Sequence, residues 1–258
     1  MDHFELIPSD INNIILSYLS ADDLRIMLDT FSLPYLNWNT INAYHFNEHK
    51  HNMSMFKYLT RLRVESLINK LNLNYYSIND HTIDELLEST DLYLGYMGIT
   101  QLPSEIVELV NLKELSLEGN RLTRIPPEIF NLTNLQDLDL TNNQLRQVSP
   151  EIGRLVNLQG LWLSDNQFVR IPEEALKTLT NLKGLGLVYN QITQISPGAF
   201  NKLNNLNRLY LQHNNIKILP EGIFDNMTKL KQLSLDDILF YQVPYNIRSI
   251  PGIVIERF

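Results

Sequence analysis

Two sets of residues in this 258-residue chain have the types and spacing that could carry chemistry. The first is His45-x-x-Glu48-His49, in which two imidazoles four residues apart would share one face of a helix. This spacing can bind zinc when a third protein ligand completes the site. The sequence that follows is a repeat array and not an enclosing domain that could supply that ligand. We therefore expect a solvated polar segment here, and we expect no metal and no cofactor.

The second set consists of polar and aromatic residues that alternate with leucines in short Leu-x-Leu segments or lie just beyond them. If each segment is a β-strand, the leucines point inward and the residues between them face solvent. Trp and Tyr are enriched at interface hot spots, and carboxylates favour a partner segment that carries Lys or Arg. The candidate partner-binding residues are Tyr93, Glu114, Glu118, Asp137, Asp139, Trp162, Tyr189, Tyr210 and Gln212.

Glycines interrupt this second set near its middle. Gly160, Gly184 and Gly186 would leave a floor without side chains, flanked by Trp162 and Tyr210. Neighbouring strands lie about 4.8 Å apart, so the two rings would be roughly 10 Å apart across the floor. The spacing predicts a notch that clasps one side chain of a partner.

A repeating backbone must position these residues. The template L-x-x-L-x-L-x-x-N-x-L recurs at intervals of 23 or 24 residues, and its copies start at Leu112, Leu135, Leu158, Leu182, Leu206 and Leu230. Five copies keep the asparagine, at Asn120, Asn143, Asn166, Asn190 and Asn214. We expect each buried asparagine to bond backbone groups that the tight bend would otherwise leave unpaired.

This template resembles the typical class of leucine-rich repeats, over about two-thirds of the chain. The resemblance implies an α/β solenoid, a horseshoe whose concave face is a parallel β-sheet, preceded by a small all-α N-terminal domain. We expect a helical linker and N-terminal cap over residues 49–88, about seven repeats over residues 89–235 and a C-terminal cap over residues 236–258. The concave groove would be the main recognition surface.

A different pattern opens the chain: Ile7-Pro8-Ser9-Asp10-Ile11, then Ile15-Leu16-Ser17-Tyr18-Leu19, then Asp23-Leu24. It resembles the first half of an F-box, within a helical segment that we assign to residues 1–48. The resemblance implies docking onto the adaptor subunit of cullin-type ubiquitin ligases, through Pro8, Ile11, Ile15, Leu16, Leu19 and Leu24. The basic-Trp element usual in the second half of that family is absent, and a plain helical cap on the repeats is the alternative.

Charge and composition exclude several classes of function. The net charge is -8, and residues 1–90 account for most of it, with 6 Lys/Arg against 12 Asp/Glu. Without a basic excess, neither nucleic acid nor an anionic membrane is an expected partner. The chain has no cysteine, which excludes thiolate zinc sites and thioester intermediates.

The sequence contains neither a nucleophile elbow nor a phosphate-binding glycine loop, and we expect no enzymatic activity. Its first residues do not resemble a signal peptide, so we expect a cytoplasmic or nuclear protein, in the host cell if the source is a virus or pathogen. The combined hypothesis is an adaptor that recruits a protein substrate to a cullin-type ligase. The alternative is a leucine-rich-repeat binding scaffold whose N-terminal helices act only as a cap.

Overall fold

The computed structural model describes residues 55–71 and 83–258, and the chain divides into two units, residues 1–63 and residues 64–258. The F-box-like segment and the pattern from His45 to His49 lie outside the described residues. So do all six residues predicted to dock a ligase adaptor: Pro8, Ile11, Ile15, Leu16, Leu19 and Leu24.

A parallel sheet of eight strands, in chain order, organises the second unit. The strands are β1 Asp91–Tyr93, β2 Glu114–Ser116, β3 Asp137–Asp139, β4 Gly160–Trp162, β5 Gly184–Gly186, β6 Arg208–Tyr210, β7 Gln232–Leu235 and β8 Val254–Arg257. The central leucines of neighbouring strands pair in register, as Leu138 does with Leu161, and both side chains are fully buried. The predicted leucine-rich-repeat solenoid with a parallel sheet is therefore confirmed.

The first four segments that return from one strand to the next form short helices, whereas the segments after β5 and β6 form turns. Three of them are 3₁₀ helices, Ser104–Glu108, Pro127–Asn131 and Pro150–Arg154, and the next, α3, is Glu173–Leu176. Proline suits the first position of such a helix because the N–H that it lacks would have no partner there. Each of these four segments buries an apolar side chain, so the core continues from the sheet to the opposite side of the solenoid.

Helices α1, Met55–Lys70, and α2, Ile83–Glu88, precede the sheet. Val64 and Leu67 of α1 and Leu86 of α2 are buried in the same core as the first repeat. Lys70 also donates a hydrogen bond to the Glu105 carboxylate. Burial raises the pKa of Glu105, but the hydrogen bonds from Lys70, a backbone N–H and Ser66, together with the charge of Lys70, lower the pKa overall.

The C-terminal residues form two short helices and a strand. Helices α4, Asp237–Phe240, and α5, Tyr245–Arg248, precede β8, which extends the sheet by pairing with β7. No helix in residues 55–71 and 83–258 is long and apolar enough to cross a membrane.

Asparagine side chains link each repeat to the one before it. The Asn166 amide nitrogen donates to the carbonyl oxygens of Leu140 and Leu163, at 2.9 and 3.2 Å. Its Oδ1 accepts from the backbone N–H of Leu145, at 2.9 Å. Equivalent bonds are made by the other template asparagines, Asn120, Asn143, Asn190 and Asn214. The bend after each strand is therefore satisfied internally.

The structure contains a second row of asparagines, which the sequence analysis missed. Each donates to a backbone carbonyl of the preceding repeat, at 2.8 to 3.0 Å, and the row is Asn111, Asn134, Asn157, Asn181 and Asn205. The signal was available in the sequence, because an asparagine precedes the first template leucine in five successive repeats. Lys229 replaces it in the next repeat and donates to Asn205 Oδ1, at 2.6 Å.

The two rows differ in burial, and this difference gives a test. We expect Asn166→Ala to lower the free energy of unfolding by about 2 to 4 kcal/mol, because it leaves buried N–H and C=O groups unpaired. Asn157→Ala is the matched control. It removes one exposed hydrogen bond to Thr133 and should cost less than about 1 kcal/mol. Urea unfolding measures both, and equal losses would contradict the structural role of the buried row.

Candidate functional site

The solvent-facing side of β1 to β3 is acidic. Five carboxylates stand on these strands or just after them: Asp91, Glu114, Glu118, Asp137 and Asp139. None of the five makes an ion pair within 4.0 Å in the described part of the chain. No Lys or Arg occupies a solvent-facing position of β1 to β4. The carboxylates of this surface therefore have no cationic side chain beside them on the solvent-facing side of β1 to β4.

Two tyrosines orient part of this acidic surface. The phenol of Tyr93 donates to Glu114 at 3.2 Å, and that of Tyr96 donates to Glu118 at 2.7 Å. The acceptor Glu118 raises the pKa of Tyr96. Tyr96 was not among the predicted site residues because it follows the strand, in a left-handed conformation with φ of 59°. Its side chain is 68% exposed, so both ring and phenol are accessible.

Asp137 and Trp162 are joined by a hydrogen bond across β3 and β4. The indole Nε1 donates to Asp137 Oδ1 at 2.9 Å. Gly160 makes this contact possible, because a Cβ there would lie 2.0 Å from Asp137 Oδ2. Burial raises the pKa of Asp137; the bond from Trp162 lowers it, and the charge of Glu114 adds to the rise. The net pKa is above the ordinary value, so Asp137 is held in an environment that disfavours its charge.

The predicted open notch is wrong, because the Trp162 ring covers the glycine floor. A Cβ on Gly184 or Gly186 would lie 2.8 or 2.9 Å from atoms of this ring. The ring centroids of Trp162 and Tyr210 are 6.2 Å apart, with their planes inclined by 23°. The expected separation of about 10 Å assumed that each ring stands directly above its own strand. The Trp162 ring instead extends over β5, whose solvent-facing residues are glycines. Covering the glycines removes apolar surface from water.

Arg208 and Tyr210 of β6 lie on the other side of this floor. The guanidinium carbon of Arg208 is 5.5 Å from the centre of the Trp162 ring, within the range of a cation–π contact. The phenol of Tyr210 donates to Gln232 Oε1 at 2.8 Å. Trp162 is thus the centre of one cluster, with Asp137 at its ring nitrogen, two glycines beneath it and a cation over its face.

Tyr189 and Gln212, the remaining predicted residues, belong to different surroundings. Tyr189 lies in the turn after β5, with φ of 51°, and its ring stacks on His213 at 4.3 Å. His213 in turn meets the ring of Phe258 edge-on, at 5.7 Å. Gln212 Oε1 is buried and has no hydrogen-bond partner in the structure. The turn after the strands therefore forms an aromatic row outside the Trp162 cluster.

The described residues contain no group of three or more His, Asp or Glu side chains that could hold a metal ion. A cavity of about 510 Å³ is lined by Val148, Phe168, Ile171 and neighbours, none of which belongs to a strand. This cavity therefore lies away from the polar and aromatic side chains of the sheet face.

A family model described as "Leucine rich repeat" matches residues 110–168, 156–216 and 180–237. Residues 110–237 are therefore leucine-rich repeats. No curated protein matches the sequence of the chain. Solved structures match in large number, 445 chains in all, so the fold alone does not select a partner.

Two of these structures show the extent of the likeness. An internalin (inlF) from Listeria monocytogenes is 26% identical with a TM-score of 0.53, and the match covers 68% of this chain and 49% of that chain. The ectodomain of the Arabidopsis thaliana receptor kinase GASSHO1/SCHENGEN3, solved in complex with CASPARIAN STRIP INTEGRITY FACTOR 2, is 24% identical with a TM-score of 0.54; the match covers 67% and 21%. The chain thus spans about half of the first protein and a fifth of the second.

The position of the Trp162 ring can be tested at its floor. We expect Gly184→Ala to displace the ring, to shift Trp162 fluorescence to longer wavelength and to cost about 1 to 3 kcal/mol of unfolding free energy, because the methyl would overlap the ring. A Trp38→Phe background isolates the signal, since the chain has only two tryptophans. Gly95→Ala is the control, because its Cβ would meet nothing closer than 3.4 Å. Unchanged emission in Gly184→Ala would contradict this arrangement.

The raised pKa of Asp137 predicts a pH dependence of stability. A carboxyl whose pKa is higher in the folded state loses free energy by ionising there, and the loss is present above the folded pKa and absent below the unfolded one. We therefore expect Asp137→Asn, which keeps an acceptor for Trp162, to gain stability relative to wild type as pH rises from about 3 to 7. Urea unfolding at both pH values measures this difference. A constant difference, or one that falls with pH, would refute the prediction.

Proposed function

We propose that this leucine-rich-repeat chain is a non-enzymatic adaptor that binds a protein partner on its sheet face and presents it to a cullin-type ubiquitin ligase. The observation that carries the binding half of the proposal is the set of uncompensated carboxylates around the Trp162 cluster. Like charges on adjacent strands destabilise a sheet, and a basic partner segment would relieve them. Charges so placed also speed and orient docking.

Trp162 is the proposed anchor of the bound partner. Its ring is held from below by glycines and at its nitrogen by Asp137, so binding would not have to order it. Pre-organised aromatic side chains at the centre of an interface commonly dominate its affinity. Tyr93 and Glu114 of the acidic surface would contribute orienting contacts.

The F-box-like residues 1–48 support the ligase half of the proposal. Val64, Leu67 and Leu86 belong to the core at the first repeat, which supports the assignment of a cap to residues 49–88. Residues 1–48, which carry the F-box-like pattern, are proposed to dock the ligase adaptor. Because the chain has no cysteine, any thioester chemistry would belong to other subunits. The proposal places the chain in the cytoplasm or nucleus, of the host if it comes from a virus or pathogen.

A binding scaffold without a ubiquitin link is the second candidate. It is favoured by the absence, noted above, of the basic-Trp element that the second half of an F-box usually carries. Under this candidate the sheet face keeps its role and the N-terminal residues only extend the cap.

Co-purification of the full chain with the cullin-ligase adaptor subunit separates the two candidates. We expect wild type to be captured and Ile15→Asp/Leu19→Asp to be lost, because two charges would enter an apolar docking surface. Asn12→Asp/Asn13→Asp adds the same charge at neighbouring polar positions and should still be captured. So should Trp162→Ala, whose change lies on the sheet face.

All variants must first show the circular dichroism and melting temperature of wild type. Failure of wild type to co-purify would reject the ligase link and leave the scaffold. Capture of the Ile15/Leu19 variant would reject the assigned docking residues.

A further inference from the structure

Arg208 lies over the Trp162 ring in a cation–π contact. Its guanidinium carbon lies 5.5 Å from the ring centre, yet within the described residues the guanidinium makes no hydrogen bond and no ion pair. Its side chain is exposed, and its Nε lies 3.7 Å from where a Cβ of Gly184 would stand. The guanidinium therefore extends over the two glycines of β5 to the indole. The contact there is an exposed cation–π contact, which is weak.

The surface under this cation is built and rigid. Trp162 is fixed by the hydrogen bond to Asp137 and by close contact with Gly184 and Gly186. Side chains at the two glycine positions would collide with the ring, so the platform requires both glycines. A flat aromatic ring that is held in place on the sheet and already carries a guanidinium is suited to stacking a planar cation.

Arg208 does not form an ion pair with the carboxylates beside the Trp162 ring, Asp137 and Asp139. The positive charge of Arg208 acts on Asp137 through space, but the two groups are more than 4.0 Å apart and form no ion pair. Arg208 is tethered to β6, whereas Asp137 and Asp139 belong to β3, three strands away. A guanidinium arriving from a partner has no such tether. It could stack on Trp162 and also donate two parallel hydrogen bonds to a carboxylate.

We propose that Trp162, Asp137 and Asp139 form a recognition site for an arginine side chain of the partner, and that Arg208 occupies this site as an internal substitute until the partner displaces it. The inference rests on the proposed binding function of the sheet face and names its ligand chemistry. Arginine is favoured over lysine because its planar group can stack and form a bidentate bond at once. Arg208 then sets specificity by competition, since a weaker cation would not replace it.

The test uses the full chain and a fluorescein-labelled peptide with three Gly-Ser-Arg repeats as probe. A citrulline peptide of the same length keeps the shape and removes the charge, and a lysine peptide keeps the charge and removes the planar group. Fluorescence anisotropy gives the Kd of each. We expect tightest binding of the arginine peptide and at least about tenfold weaker binding of it to Trp162→Leu, since hot-spot truncations cost that much or more.

The decisive variant is Arg208→Gln. Displacement predicts that it binds the arginine peptide about two- to fivefold more tightly than wild type, which is the factor by which an exposed cation–π contact would favour the occupied site. Lys183→Gln is the matched control. This variant also removes one positive charge next to β5. Lys183, however, donates its hydrogen bond to Gln159 and does not contact Trp162. A gain in Arg208→Gln that exceeds the gain in Lys183→Gln supports displacement.

Other outcomes overturn the inference. Weaker binding of the arginine peptide by Arg208→Gln would make Arg208 a direct contact of the bound peptide and not its competitor. Equal gains in the two variants would reduce its role to bulk charge, and equal affinity for the citrulline peptide would exclude guanidinium recognition. If the arginine peptide binds wild type but neither Trp162→Leu nor Asp137→Asn/Asp139→Asn changes the Kd, binding lies elsewhere and the sheet-face proposal fails as well. Capture by the ligase adaptor is independent of all these results.

Discussion

The chain must bend sharply after each strand, and this bend buries backbone N–H and C=O groups that no neighbouring strand can reach. One buried asparagine per repeat solves this, because its amide can both donate and accept. Asn166, for example, bonds Leu140 and Leu145 of the preceding repeat and Leu163 of its own. The bond therefore sets the stacking of the repeats as well as the shape of the bend. The strand register follows from this stacking, and with it the neighbours of every side chain on the sheet face.

The contacts on the sheet face depend on β5, which contributes no side chains to that face. Gly184 and Gly186 occupy both solvent-facing positions of β5, so residues of β4 and β6 meet above it. Any side chain on β5 would separate Trp162 from Arg208 and Tyr210. Burial of the indole against backbone is favourable, which offsets part of the disadvantage of glycine in a strand. The same arrangement brings the guanidinium of Arg208 over the indole.

The regular part of this structure could be predicted from spacing, and the irregular part could not. Template leucines and asparagines recur at 23 or 24 residues, which is enough to define the strands and which residues face solvent. The contact of Trp162 with the glycine floor depends on the rotamer of one ring, which a periodic pattern does not contain. The contact of Arg208 with Trp162 could not be predicted either, because the spacing of residues does not show where a long side chain on β6 ends. Tyr96 could not be assigned to the face from the repeat pattern because it lies after the strand. Its backbone is in the left-handed conformation, which residues other than glycine rarely adopt.

The acidic surface is a poor arrangement for the stability of an isolated solenoid. Asp137 is opposite Glu114 in the pairing of β2 and β3, and like charges at paired positions repel. Burial raises the pKa of Asp137 most, and the charge of Glu114 adds to the rise. Asparagine at this position would still accept a hydrogen bond from Trp162 without the charge, so packing alone does not require an aspartate. The aspartate therefore lowers the stability of the fold without being needed for the contact with the indole. This is the trade-off expected of a residue that serves binding, as we propose for this face.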